Sequence, residues 1–179
     1  MKQYYEFVYA QYIESQIYYI HKIINRLTFH SWLIDEEQYF LDSQVLLILV
    51  TNVANVLDSR RKKARSAHLV DYFNISLDRI PTILNRDMRN TNEHYDERMD
   101  DFMEESNVVL SKSDIEDVKK LVSVIQTRGL TGYADIDSNT IYSIDRNLNR
   151  IAIDLDNIKK ETLYIMQQIN CKRRIVSLN

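Results

Sequence analysis

Two glycines and one proline are all that this 179-residue chain contains, where average usage would supply about twenty of the two together. Tight hairpins and closely spaced turns draw heavily on those residues. Most all-β designs, collagen-like repeats and linker-rich chains are therefore excluded, and long helices remain. With 45% apolar and 27% charged residues, the composition is that of a folded chain, and the length suffices for a core without metal or disulfide support. The lone Cys171 forms neither an internal disulfide nor a cysteine-rich zinc cluster. The opening MKQYYEFVYAQ lacks the basic-then-apolar pattern of a signal peptide. The longest apolar run, residues 45–50, is too short for a membrane span. The expected compartment is the cytoplasm, with no membrane partner.

Residues 5–27 carry Tyr5, Tyr9, Tyr12, Tyr19, Ile20, Ile23 and Leu27 at three- and four-residue steps, which predicts one face of a long amphipathic helix. Six of the twelve tyrosines lie in the first nineteen residues. Their expected role is at the core edge with hydroxyls outward; the alternative is a platform for stacking nucleotide bases. A second helix is expected over residues 35–58. It is apolar on every side at 45–50 and so reads as the central helix of a bundle. A short helix over 67–74 follows. Asp78 then reads as an N-cap with Pro81 in the first turn, and Ile80, Leu84, Met88, Tyr95, Met99 and Phe102 keep helical spacing. That helix either runs through residues 89–92 or restarts there, with Asn90 as its cap.

Residues 113–126 predict a further helix opened by Ser113 and Glu116, with Gly129 and Gly132 marking a turn. Residues 140–145 and 150–155 alternate with period two around a hairpin-length gap, and Asp156 reads as the cap of a last helix over 157–171. The predicted fold is mainly α. A helical bundle (1–106) is joined by a helix, a small β-hairpin and a terminal helix (107–179), packed on it as one compact domain.

Formal charge is −3, from 23 basic and 26 acidic residues, which argues against a protein that coats duplex DNA but leaves room for a local patch. One such patch is Arg60, Arg61, Lys62, Lys63 and Arg65, five cations in six residues. Two readings apply: contact with RNA phosphates, or a solvated connector whose cations favour the preceding helix C-terminus. No phosphate-binding glycine loop, HExxH or paired-cysteine metal spacing is present, and no cofactor or metal is expected. His21, His30 and His68 have no partner pattern and are expected to be structural.

The remaining constellation is Arg89-Asn90-Thr91-Asn92-Glu93-His94. It resembles the R-φ-x3-H motif of the HEPN superfamily, α-helical bundle proteins that include metal-independent ribonucleases of toxin–antitoxin and phage-defence systems. The resemblance implies a HEPN-like bundle, a homodimer in which two motifs face each other, RNA as substrate, and an antitoxin or other protein as partner. In that setting Arg89, Asn90 and His94 would be the catalytic residues. Histidine titrates near neutrality and can act as base or acid, and arginine holds two phosphate oxygens at once. Asn90 would orient His94 or bind the phosphate. Seven acids and one arginine occupy residues 93–105, so the same segment also reads as an ion-paired helix surface of a non-catalytic dimerisation or interaction module.

Overall fold

A computed structural model describes residues 2–29, 36–88, 134–135, 139–144 and 150–177. The protein is mainly helical, with a small antiparallel sheet. Four α-helices are described: α1 (Lys2–Phe29), α2 (Glu36–Leu57), α3 (Lys63–Phe73) and α4 (Leu155–Ser177). Strands β1 (Ala134–Asp135), β2 (Thr140–Ile144) and β3 (Arg150–Asp154) form a sheet in the order β1-β2-β3. The second half of that sheet is the expected hairpin, in the register Ile141↔Ile153. Both isoleucines are buried, so the sheet turns one apolar face onto the bundle. The expected helix over 113–126, the glycine turn, the hairpin loop and the boundary between residues 106 and 107 lie outside the described residues.

Helix α1 buries Ala10, Ile13, Ile17, Ile20, Ile24 and Leu27, steps of three and four that keep one stripe facing inward. Of the face expected over residues 5–27, Ile20, Ile23 and Leu27 are buried, whereas the tyrosines lie at or beyond the core edge: Tyr9 is half-buried and Tyr5, Tyr12 and Tyr19 are exposed. Adjacent helix positions differ by about 100°, so burying Ile13 and Ile20 turns Tyr12 and Tyr19 outward. Isoleucine has no polar atom to satisfy, whereas a tyrosine hydroxyl wants water or a partner.

Among the described residues, α1 meets each of the other three helices. Gln16–Asn52 and Arg26–Asp42 contacts join α1 to α2. Glu6 meets His68 of α3, and Glu14 meets Arg173 of α4. Both α2 and α4 run antiparallel to α1, since rising numbers on α1 pair with falling numbers on each partner. In α2, Leu46, Leu47, Val50, Val53, Ala54 and Leu57 are buried but Ile48 faces outward. Its apolar centre is thus one broad face and not an all-round core.

Helix α3 begins four residues before its expected start and ends in a Schellman arrangement: Asn74 takes φ 54°, its N–H bonds Asp71 O, and the Ile75 N–H bonds Val70 O. Asparagine tolerates this left-handed geometry better than most residues. The long helix expected from Asp78 is absent over 80–85. Leu77–Arg79 is a single 3-10 turn preceded by Ser76, and Asp78 lies within it rather than capping. Residues 81–84 form turns, and a helical turn opens only at residue 86. Asn85 Oδ1 accepts the N–H groups of Asp87 and Met88 there. Pro81 has no N–H to continue the turn, and Ile80 and Met88 are anchored in the core. At α4 the cap is Asp154, whose carboxylate accepts the N–H groups of Asp156 and Asn157, two residues earlier than expected.

Candidate functional site

The basic run sits on the connector between α2 and α3, and two serines shape it. Ser66, buried in the first turns of α3, donates its hydroxyl to Val56 O at 2.8 Å and accepts the Ser59 N–H at 3.1 Å. The Ser59 hydroxyl in turn accepts the Lys62 N–H at 3.1 Å. These bonds satisfy groups left open where α2 ends and hold the connector as a tight arch. Arg60, Arg61, Lys62 and Lys63 project from it, all exposed and with no ion pair among the described residues.

Arg65 behaves differently from its neighbours. Its guanidinium donates to Asn55 O at 2.6 Å and lies 5.3 Å from the centre of the Tyr9 ring. One of the five cations therefore tends the C-terminal carbonyls of α2, as the connector reading expects. The other four have no such duty.

Grooves open on both sides of the arch. One, of about 1010 Å³, runs between α1 and α2 and is lined by Tyr9, Tyr12, Asn52 and Asn55 together with the connector. The other, of about 1040 Å³, lies between α3, the 3-10 turn and α4. Arg60 and Arg86 line both. The α1–α2 groove has five cations (Arg60, Arg61, Lys62, Arg65, Arg86) and one carboxylate, Asp58. The second groove adds Lys63 and Arg79 to the two shared arginines, against Asp58 and Asp71. Among the described residues, positive charge thus gathers around the arch, where the low-dielectric walls of a groove focus the field.

Two of these cations, Arg79 and Arg86, carry no signal in the sequence, since neither belongs to a cation run and each adjoins an aspartate, Asp78 or Asp87. The fold delivers them. The Glu161 carboxylate, buried on α4, accepts the N–H groups of Thr82 and Ile83 at 3.0 and 2.8 Å. Tyr164 accepts the Ser76 N–H at 2.8 Å and lies beneath the Arg79 guanidinium at 4.0 Å. Helix α4 therefore pins residues 76–83, and that segment leads into Arg86.

Arg89, Asn90 and His94 lie outside the described residues; Arg86 precedes Arg89 by three positions in the chain. His21 and His68 serve packing. The Thr162 hydroxyl gives its proton to a backbone carbonyl, so His21 Nε2–H donates to Thr162 Oγ1 at 2.8 Å. Burial, and then the charge of Lys159, push the His21 pKa below its ordinary value. His68 Nε2 meets Glu6 Oε1 at 2.7 Å. Among the described residues no group of three His, Cys, Asp or Glu side chains could hold a metal ion, and no helix is long and apolar enough to cross a membrane. Cys171 is a free, exposed thiol.

The chain matches no protein-family model, and no curated protein or solved structure matches it.

Proposed function

We propose that this protein is an RNA-binding helical bundle that acts as a metal-independent RNA endonuclease of the toxin or phage-defence type. The observation that supports the reading is the arch between α2 and α3, where Arg60, Arg61, Lys62 and Lys63 stand exposed and without ion pairs among the described residues, between two grooves that share Arg86. Unpaired cations gathered around the arch fit a polyanion, and each phosphate they neutralise releases counterions. Arg89, Asn90 and His94 follow Arg86 in sequence and supply the chemistry. The His94 imidazole takes the proton of a ribose 2′-hydroxyl, the 2′-oxygen attacks phosphorus, and the 5′-oxygen leaves with a proton from the His94 of a second copy. Arg89 holds the charge that builds on the phosphate, and the products are a 2′,3′-cyclic phosphate and a 5′-hydroxyl.

The test has two arms. Replacing Arg60, Arg61, Lys62 and Lys63 with glutamine should weaken RNA binding and reduce its salt slope by up to about 3, at roughly 0.7 per phosphate contact on a single strand. His94→Ala and Arg89→Ala should each abolish cleavage while the wild type cuts in EDTA. An unchanged salt slope assigns the arch to connection alone; cleavage by a chain carrying both Arg89→Ala and His94→Ala, or by the wild type only with added metal, removes the motif from the site.

A second reading, a non-catalytic dimerisation or protein-interaction module, draws support from the outward residues of α1. Phe7, Val8, Tyr18 and Tyr19 are each exposed by about half, an aromatic-rich face of the kind enriched at protein interfaces.

A further inference from the structure

The α1–α2 groove combines three chemistries: cations at its rim, side-chain amides, and tyrosine rings on its α1 wall. The tyrosines are not equivalent. Tyr9 is occupied, with the Tyr5 ring 4.9 Å away and Arg65 over it at 5.3 Å. Tyr18 and Tyr19 pack edge-to-face at 5.3 Å, and Lys22 sits 4.7 Å from the centre of Tyr18. Tyr12 alone of the described α1 tyrosines has neither a ring nor a cation against it, and it is 42% exposed while lining the groove. An open ring beside unpaired cations is what a nucleic-acid strand uses when its bases are unpaired. The ring stacks a base and the cations follow the backbone.

The groove's size bears on the occupant. At about 1010 Å³ it reaches the upper end of small-molecule sites, roughly 300–1,000 Å³, and it is open along the connector, so it suits a run of nucleotides rather than one. Duplex RNA is a poor fit. Its bases are stacked on one another, its major groove is too deep and narrow for side chains, and aromatic residues read unstacked bases instead. Asn55 is exposed, and Asn52 Nδ2 is held by Gln16 Oε1 at 3.1 Å, which leaves amide groups at the groove for base edges.

We propose that the α1–α2 groove is a subsite for single-stranded RNA, in which Tyr12 stacks an unpaired base while Arg60, Arg61 and Lys62 hold the flanking phosphates. The subsite rests on the reading of the arch as an RNA-binding element and adds that the bound RNA is unpaired. Tyr12 lies outside the buried core and makes no described hydrogen bond, ring contact or cation contact, so substitution there leaves the bundle intact.

The experiment measures binding of a 2′-O-methyl oligoadenylate of about ten nucleotides, within the span of ordinary single-strand sites, whose blocked 2′-oxygens prevent cleavage. A duplex of the same length and backbone is the comparison. The single strand should bind more tightly than the duplex. Tyr12→Leu should weaken single-strand binding about tenfold, equivalent to about 1.4 kcal/mol, with the salt slope unchanged because the cations remain. Tyr12→Trp should restore affinity, since indole offers an equal or larger stacking face. Equal affinity of Tyr12→Leu and wild type, or equal affinity for strand and duplex, overturns the subsite. The glutamine variant at 60–63 separates the two levels. If it loses binding while Tyr12→Leu does not, only the stacking proposal falls; if it binds as the wild type does, the RNA reading of the arch falls with it.

Discussion

Glu161→Ala is the most informative perturbation of the fold around the candidate site. The Glu161 carboxylate is buried on α4 with no cation partner among the described residues. It is stabilised instead by two backbone donors, Thr82 N–H at 3.0 Å and Ile83 N–H at 2.8 Å. A buried carboxylate without such donors would be costly, and buried amides without an acceptor are costly too. Removing the carboxylate leaves the Ile83 N–H orphaned in the interior, whereas the Thr82 N–H is part-buried and regains some water. At about 1.5–3 kcal/mol for a hydrogen bond to a charged group, with the second bond discounted for water, the loss comes to about 2–5 kcal/mol. That is a large share of the roughly 5–15 kcal/mol that holds a domain together. In a chain of this length each kcal/mol moves Tm by about 2–4 °C. Urea denaturation read by circular dichroism should show a lower midpoint with an unchanged slope. Glu161→Gln keeps one acceptor but turns an NH2 group toward the other donor, so it should recover no more than half of the loss. Leu163→Ala, an exposed position two residues along the same helix, should shift stability by about 0.5 kcal/mol or less. A loss below that size for Glu161→Ala would falsify the assignment of the carboxylate as the tie between α4 and the turn leading to Arg86.

Two other contacts carry expected outcomes of their own. Ser66→Ala strands the Val56 carbonyl and the Ser59 N–H; it should cost about 1–3 kcal/mol and weaken RNA binding by loosening the arch, and a variant as stable as wild type would show that the arch holds its shape without Ser66. His21 has a lowered pKa in the folded state, from burial first and the charge of Lys159 second, so the unfolded chain takes up the proton first as pH falls. Stability should be at its full value above the ordinary histidine pKa of 6.5 and decline as pH drops from there toward the folded value; His21→Gln should flatten that decline, and an identical pH profile for the variant would assign the proton uptake elsewhere.

The sequence alone determined the class of this fold. With so few glycines and prolines, long helices were the remaining option, and α1 and α2 lie within a few residues of their expected bounds. Period-two alternation placed β2 and β3 in their strands, and the cation run marked the connector. These signals are local, because backbone propensity and side-chain period act over neighbouring residues. Tertiary structure decided the rest. The sequence pattern of α1 contained two competing faces, tyrosine and isoleucine, and only packing against α2 and α4 chose the isoleucines and left Tyr12 at a groove. The expected helix from Asp78 yielded to a turn at Pro81, which has no N–H to continue a helix, and Glu161, 79 residues further along the chain, holds that turn by taking the N–H of Thr82. Arg79 and Arg86 join the connector cations across a groove for the same reason. A buried acceptor satisfied from a distant segment leaves no period in the sequence, since its energy comes from desolvation and geometry that exist only once the two segments have met.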